Sequence, residues 1–175
     1  MNSINLVPVD TDEKLIDLSI LASEIWHEYF PSILSSAQID YMVEKFQSYR
    51  AMSEQVKNGY EYYFLEVDGE IAGYTGIHEE DGSLFLSKLY VKKDFRGRHI
   101  SSGAMRFLCG ICKSRGLNKI WLTVNRENEH TIEVYRHFGF KTVRTQDAGI
   151  GGGFVMNDYI MELYPDELNA VGENM

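Results

Sequence analysis

The chain has 175 residues, 44% of them hydrophobic, and a formal net charge of −9. Such a length and composition fit one domain with a sizeable core and exclude a disordered chain. The acidic balance excludes general nucleic-acid binding, which needs a basic surface, and is compatible with cationic partners or with solubility alone.

No apolar run approaches the ~20 residues that span a bilayer. Residues 1–10 lack the basic region and long apolar stretch of a signal peptide. A cytoplasmic protein with neither membrane nor nucleic-acid partner is expected. Cys109 and Cys112 read C-G-I-C inside an apolar helical stretch with Phe107, Leu108 and Ile111. A redox dithiol belongs at a helix N-terminus, where the dipole stabilises a thiolate, so buried structural thiols are the better reading. No further ligands stand at metal-site spacing, and no metal is expected.

In chain order, Ile4 to Val9 reads as a strand, and Asp10 with Glu13 as a capping box. Leu15, Leu18, Leu21, Ala22, Ile25, Trp26 and Tyr29 keep helical spacing until Pro31. Ser35 with Gln38 forms a second capping box, opening a helix to about Phe46, and a short third helix ends at Gly59. The texture then turns to β. Strands at Tyr60–Val67, Glu70–His78 and Ser83–Val91 are joined by Asp68-Gly69 and Asp81-Gly82, both strong hairpin turns.

A helix follows from Ile100 to Arg115, stopped by Gly116, then a strand at Lys119–Val124. Strand, helix and strand in that order make a right-handed parallel crossover. Asn128–Phe138 is a helix closed by Gly139, and Phe140–Thr145 and Phe154–Leu163 are the last strands. The glycine cluster Gly149 to Gly153 between them reads as a flexible hairpin or substrate-side flap rather than a phosphate loop. The fold class is α+β: a mixed, mostly antiparallel sheet of about seven strands, helices on both faces and one βαβ unit. Residues 1–165 form one domain, and 166–175 a polar, frayed tail.

The stretch VKKDFRGRHISSGAM, Val91 to Met105, carries four basic residues through a strand-to-helix junction. A helix N-terminus offers unpaired N–H groups and about half a positive charge, so it binds phosphate unaided. Gly97 allows close backbone approach, Arg96 and Arg98 add forked donors, and Ser101 and Ser102 add hydroxyls. A diphosphate is a natural guest; a solvated basic turn with capping serines is the alternative. Neither G-x-x-x-x-G-K-[ST] nor G-x-G-x-x-G is present.

The second block, VNRENEHTIEVYRHFGF, runs from Val124 to Phe140. Together the two resemble the GNAT superfamily of acetyl-CoA-dependent N-acetyltransferases. The matching features are Leu89-Tyr90-Val91 before Arg96-Gly97-Arg98, then Asn128, Tyr135 and Gly139-Phe140, and the likeness is close from about Leu84 to Phe140. His99 stands where the family has Gly, and Ser101 where it has Gly or Ala.

The resemblance implies acetyl-CoA as cofactor. It implies pyrophosphate amides from the segment Arg96 to Gly103, which includes Ile100 and Ser102. It further implies strand-like pairing of the pantetheine arm with Leu89, Tyr90 and Val91, and hydrogen bonds from Asn125 and Asn128. Tyr135 is implied as the acid that protonates the leaving sulfur. No carboxylate stands in SLFLSKLYV, so the expected base works through water oriented by Ser87, with Glu28 or Glu79 as alternatives. The resemblance also places the acceptor pocket at EIWHEYFPSIL. Trp26, Glu28, Tyr29 and Phe30 there suit a small cationic amine such as a polyamine. Peptide N-termini, antibiotic amines, a non-catalytic acyl-CoA-binding regulator and a nucleotide-binding module stay open, as does oligomeric state, a homodimer included.

Overall fold

The computed structural model describes residues 3–169. Seven strands form a single sheet: β1 (Ile4–Pro8), β2 (Glu61–Val67), β3 (Glu70–Glu80), β4 (Ser83–Val91), β5 (Ile120–Asn125), β6 (Lys141–Gly151) and β7 (Phe154–Leu163). Their order across the sheet is β1-β2-β3-β4-β5-β7-β6, and only β4 and β5 run parallel. The expected mixed α+β sheet with one crossover is what forms.

Helices α1 (Asp12–Tyr29), α2 (Ser36–Gln47) and α3 (Tyr49–Lys57) cover one face, and α4 (Ile100–Arg115) and α5 (Glu129–Phe138) the other. The α1 cap is Thr11, whose hydroxyl accepts from Lys14 N, one residue later than the expected Asp10 box. The second box holds: Ser35 Oγ accepts from Gln38 N. Both hairpin turns have positive φ at Asp68-Gly69 and Asp81-Gly82, the twist that two-residue turns need. Cys109 and Cys112 are buried free thiols on α4, and burial pushes each up to about 11.

Two features depart from the sequence reading. β6 runs on to Gly151 rather than ending at Thr145, so most of the glycine cluster belongs to the β6–β7 hairpin. Its tip docks on α2: Tyr41 Oη and Lys45 Nζ both donate to the Ile150 carbonyl, and a Cβ on Gly151 would lie 2.4 Å from Tyr41 Oη. The segment after Pro165 is also not frayed through 169. Asn169 N donates to the Phe138 carbonyl at 2.9 Å, and Glu167 O would meet a Cβ at Gly139. The remainder of the expected tail lies outside the described residues.

β4 decides where the site sits. Gly76 pairs with Lys88 and Ile77 with Leu86, so Ser87 has no opposite number and forms a β-bulge. One extra residue reverses the side-chain alternation. Leu84 and Leu86 face α4 and α5, and after the bulge it is Leu89 and Val91 that face that side. Tyr90 turns instead toward Trp26 of α1 and Phe30 just beyond its end.

A buried polar triad holds α1 and α2 to β3. Tyr74 Oη donates to Gln47 Oε1 at 2.6 Å and accepts from Trp26 Nε1 at 2.8 Å. Tyr74 and Gln47 are both fully buried. Tyr74→Phe keeps the ring but leaves one donor and one acceptor unpaired in the core, at about 1–3 kcal/mol each. Urea denaturation should show a loss of at least about 2 kcal/mol.

Candidate active site

The parallel pairing of β4 with β5 is registered only at Leu84–Ile120 and Phe85–Trp121. Beyond it the two strands part, and a cleft of about 630 Å³ opens between them. Ser87 through Val91, Leu122 through Asn125, the start of α4 and the inner face of α5 line it. The strand edge from Ser87 to Val91 has no β5 partner in register.

At one end stands the N-terminus of α4. Ile100 and Ser101 line the cleft together with Arg96, Gly97, His99 and Ser102. A Cβ built on Gly97 meets nothing within 4 Å, and its φ is +82°. His99 caps α4 in the left-handed region, φ 61° and ψ 23°. The conformation suits a residue without Cβ, which is what the family motif has there.

Other expected residues sit differently. Gly103 is buried against β1, where a Cβ would lie 2.4 Å from Ile4 Cγ2, so its smallness serves helix–sheet packing rather than the cleft. Arg98 lies outside the lining, its guanidinium over the Phe95 ring at 5.2 Å. Arg96 grips Glu28 with both terminal nitrogens, Nη2 to Oε1 at 2.6 Å and Nη1 to Oε2 at 3.2 Å, and donates Nε–H to the Val91 carbonyl. Glu28 is thereby a strap between the end of α1 and the β4–α4 junction, and it does not line the cleft. Glu79, the other carboxylate weighed as base, pairs with Arg115 at 2.8 Å.

Trp26, Tyr29 and Phe30 do reach the cleft. Tyr29 Oη donates to Asn128 Oδ1 at 2.9 Å and shares a hydrogen bond with Thr131 Oγ1 at 2.6 Å, tying α1 to α5. Asn125 Oδ1 accepts from Glu127 N. Tyr135 is 8% exposed on the cleft wall, edge-on to Phe140. Burial pushes its phenol well above the usual value of 10.0, with Tyr29 adding to the shift, so it stays protonated and able to donate.

Two lining residues escaped the sequence reading. Asp158 of β7 is 5% exposed, and its Oδ1 is buried without a hydrogen-bond partner. Burial raises its carboxyl to about 6, against the opposing pull of Arg126 and Lys88, while Asp147 adds to the rise. Lys88 of β4 donates to Ser87 O and to Ser87 Oγ, both at 3.1 Å, and burial lowers its ammonium to about 8. The signal for Asp158 was parity: it shares a strand face with Met156 and Ile160, which are turned inward. For Lys88 it was the broken alternation around Ser87.

Residues 21–140 match the model of the acetyltransferase (GNAT) family. The chain belongs to that family. Among curated relatives, an uncharacterised N-acetyltransferase of Mycobacterium bovis is 32% identical over 95 residues, 54% of this chain and 60% of the relative. A putative ribosomal protein bS18-alanine N-acetyltransferase of Bacillus subtilis is 27% identical over 89 residues, 50% of this chain and 59% of the relative. The chain thus matches about three fifths of the length of these relatives. Among solved structures, the PaiA N-acetyltransferase of Thermoplasma acidophilum in complex with coenzyme A has a TM-score of 0.75 at 22% identity, over 93% of this chain and 99% of that one. The fold is the GNAT fold.

The strain at His99 is open to measurement. His99→Gly and His99→Ala both remove the imidazole, but only glycine relieves the left-handed backbone. The glycine variant should be the more stable of the two by about 1 kcal/mol in chemical denaturation.

Proposed function

We propose that the protein transfers the acetyl group of acetyl-CoA directly to a primary amine in a ternary complex. The observation that carries this reading is the parted β4–β5 pair, with a helix N-terminus at one end of the gap and an aromatic-lined chamber at the other. Acetyl-CoA supplies the acetyl group as an activated thioester. The chain's residues fit such a guest. Gly97, Ile100 and Ser101 present backbone at the positive end of α4, where a diphosphate gains both amide donors and the dipole. The edge from Leu89 to Val91 has no β5 partner and offers strand-type hydrogen bonds to the amides of the pantetheine arm, with the Val91 carbonyl already accepting from Arg96, and Asn128 borders the same channel. A β4 amide near Leu89 polarises the thioester carbonyl in this reading. Tyr135, kept protonated by burial, is the acid for the leaving sulfur.

The acceptor is a separate matter. A small cationic amine such as a polyamine was expected because of the carboxylates between Glu24 and Phe30. Glu28 is engaged by Arg96, and Glu24 is exposed and outside the lining, so neither supplies that recognition. Charged groups that do line the cleft, besides Arg96, are Lys88 and Asp158. Release of CoA thiol from acetyl-CoA, measured against panels of amino acids, peptides, polyamines and aminoglycosides, tests the reaction as a whole. Silence across the panels, with CoA bound in calorimetry, would favour the non-catalytic regulator.

Two substitutions test the parts. Gly97→Glu adds bulk and a negative charge beside the diphosphate, and calorimetry should show acetyl-CoA binding abolished in folded protein. An unchanged affinity would displace the anion site from the α4 N-terminus. Tyr135→Phe should leave acetyl-CoA affinity within about twofold and lower kcat by ~10²-fold, the usual scale for a lost general acid. A wild-type kcat, with chemistry rate-limiting, would remove Tyr135 from the mechanism.

A further inference from the structure

We infer that the acceptor is zwitterionic, an α-amino acid with an apolar side chain, whose ammonium docks on Asp158 and whose carboxylate is held by Lys88, and that Asp158 takes the proton from the amine. This rests on the acetyl-transfer reading above and goes beyond it by naming the acceptor class and the base.

The placement comes first. After the bulge at Ser87, Lys88 lies on the α1 and α2 side of the sheet, its Nζ 6.0 Å from the Trp26 ring centroid. Asp158 stands on the same side in β7, in line with Met156, which packs into the α1–α2 cluster. β7 flanks β5, so Lys88 and Asp158 face each other across the parted strands. Both line the cleft, and they form no ion pair with each other within 4.0 Å. Room remains between opposite charges.

Each group is incomplete on its own. A buried carboxylate oxygen without a donor is costly, and such atoms in folded proteins need an explanation. Asp158 Oδ1 is the one such side-chain atom found among the described residues. A ligand ammonium supplies the missing donor with the right charge. Lys88 is hydrogen-bonded only to neutral oxygens of Ser87, so its charge deep in the cleft has no carboxylate in contact. A ligand carboxylate supplies one. The other walls, Phe30, Met42, Phe46, Ile150 and Met156, are apolar and suit an apolar side chain. A diamine fits poorly, because its second ammonium would approach Lys88 with no anion to meet it.

The step balances within these groups. The acceptor ammonium gives one proton to the Asp158 carboxylate. The neutral nitrogen then bonds to the acetyl carbon, the carbon–sulfur bond breaks with its electron pair on sulfur, and the thiolate is protonated at the Tyr135 side of the cleft. The surplus proton on the acylated nitrogen replaces the one given to sulfur, Asp158 releases its proton to solvent, and the product is a neutral amide that keeps one N–H. Three charged groups act on Asp158 from the elements around it: Lys88 from β4, Arg126 from the end of β5 and Asp147 from β6. Lys88 and Arg126 keep it ionised at neutral pH in spite of its burial, and Lys88 also eases proton loss from the bound ammonium.

The test is a CoA-release assay with four acceptors: L-phenylalanine, its amide, phenethylamine and spermidine. The amino acid should show a KM at least tenfold below the amide and the decarboxylated amine, and spermidine should be the poorest. Lys88→Met should raise the KM for phenylalanine at least tenfold, abolish the preference for the amino acid over its amide, and leave the KM for acetyl-CoA within twofold. Asp158→Asn should lower kcat about 100-fold and remove the acidic limb of kcat/KM near pH 6.

Folding is a separate readout with its own sign. Asp158 has a carboxyl raised in the folded state, so the folded protein holds the proton more tightly and its stability falls as pH rises from about 4 to about 6. Asp158→Asn removes that burden and should melt no lower than wild type at pH 8. Spermidine or the amide reacting as well as the amino acid would overturn the acceptor class. An Asp158→Asn profile that keeps its acidic limb would overturn the base. CoA release with peptides or polyamines alone would overturn only this inference, whereas no release with any amine would overturn the acetyl-transfer reading with it.

Discussion

Everything at the site depends on two parallel strands that stop pairing. Backbone groups left unpaired inside a protein are costly, so a sheet that opens in its middle must give its exposed edge to something else. β4 and β5 hold together at Leu84–Ile120 and Phe85–Trp121 and then part. The bulge at Ser87 accompanies the opening, since an extra residue bends a strand and disrupts its ladder. The same extra residue turns Leu89 and Val91 to one face and Tyr90 to the other. The irregularity that accompanies the opening therefore also decides which side chains look into the cleft.

The electrostatics of the cleft differ from those of the whole chain. A net charge of −9 invites the idea of an acidic pocket. Yet the carboxylates nearest to that idea are spent in pairs: Glu28 on Arg96, and Glu61 and Glu79 on Arg115. These pairs are partly exposed, and pairs of that kind contribute little to stability. What they fix is geometry: the Arg96–Glu28 fork joins the end of α1 to the β4–α4 junction, and Tyr29 joins the same end to Asn128 and Thr131 on α5. Inside the cleft Arg96 stands at the α4 end, already paired with Glu28, while Lys88 and Asp158 face the α1–α2 side and form no ion pair with each other.

Local patterns were well legible in the sequence, because the physics behind them is local. Hairpin turns at Asp68-Gly69 and Asp81-Gly82, the Ser35 cap, and the stops at Gly116 and Gly139 each follow from a few neighbouring residues and their permitted φ values. So does the junction from Val91 to the start of α4, whose motif, with its companion block around Tyr135, carried the family resemblance. The hydrophobic spacing gave the element order, and the crossover rule gave the parallel pair.

Tertiary structure alone decided which groups meet. Glu28 and Arg96 are 68 positions apart, and only folding makes them partners and removes Glu28 from the base's role. Gly103 resembles a phosphate-binding glycine in the motif, yet it is small because β1 lies against it. Asp158 lies far along the chain from Lys88, and no spacing rule links a strand after the glycine hairpin to one before the motif. Their shared position arises because β7 inserts beside β5 and the bulge turns Lys88 inward. Sequence fixes what each segment can be through short-range sterics and hydrogen bonds, whereas the charge and shape of a cleft are sums over distant segments that exist only once the sheet has closed around them.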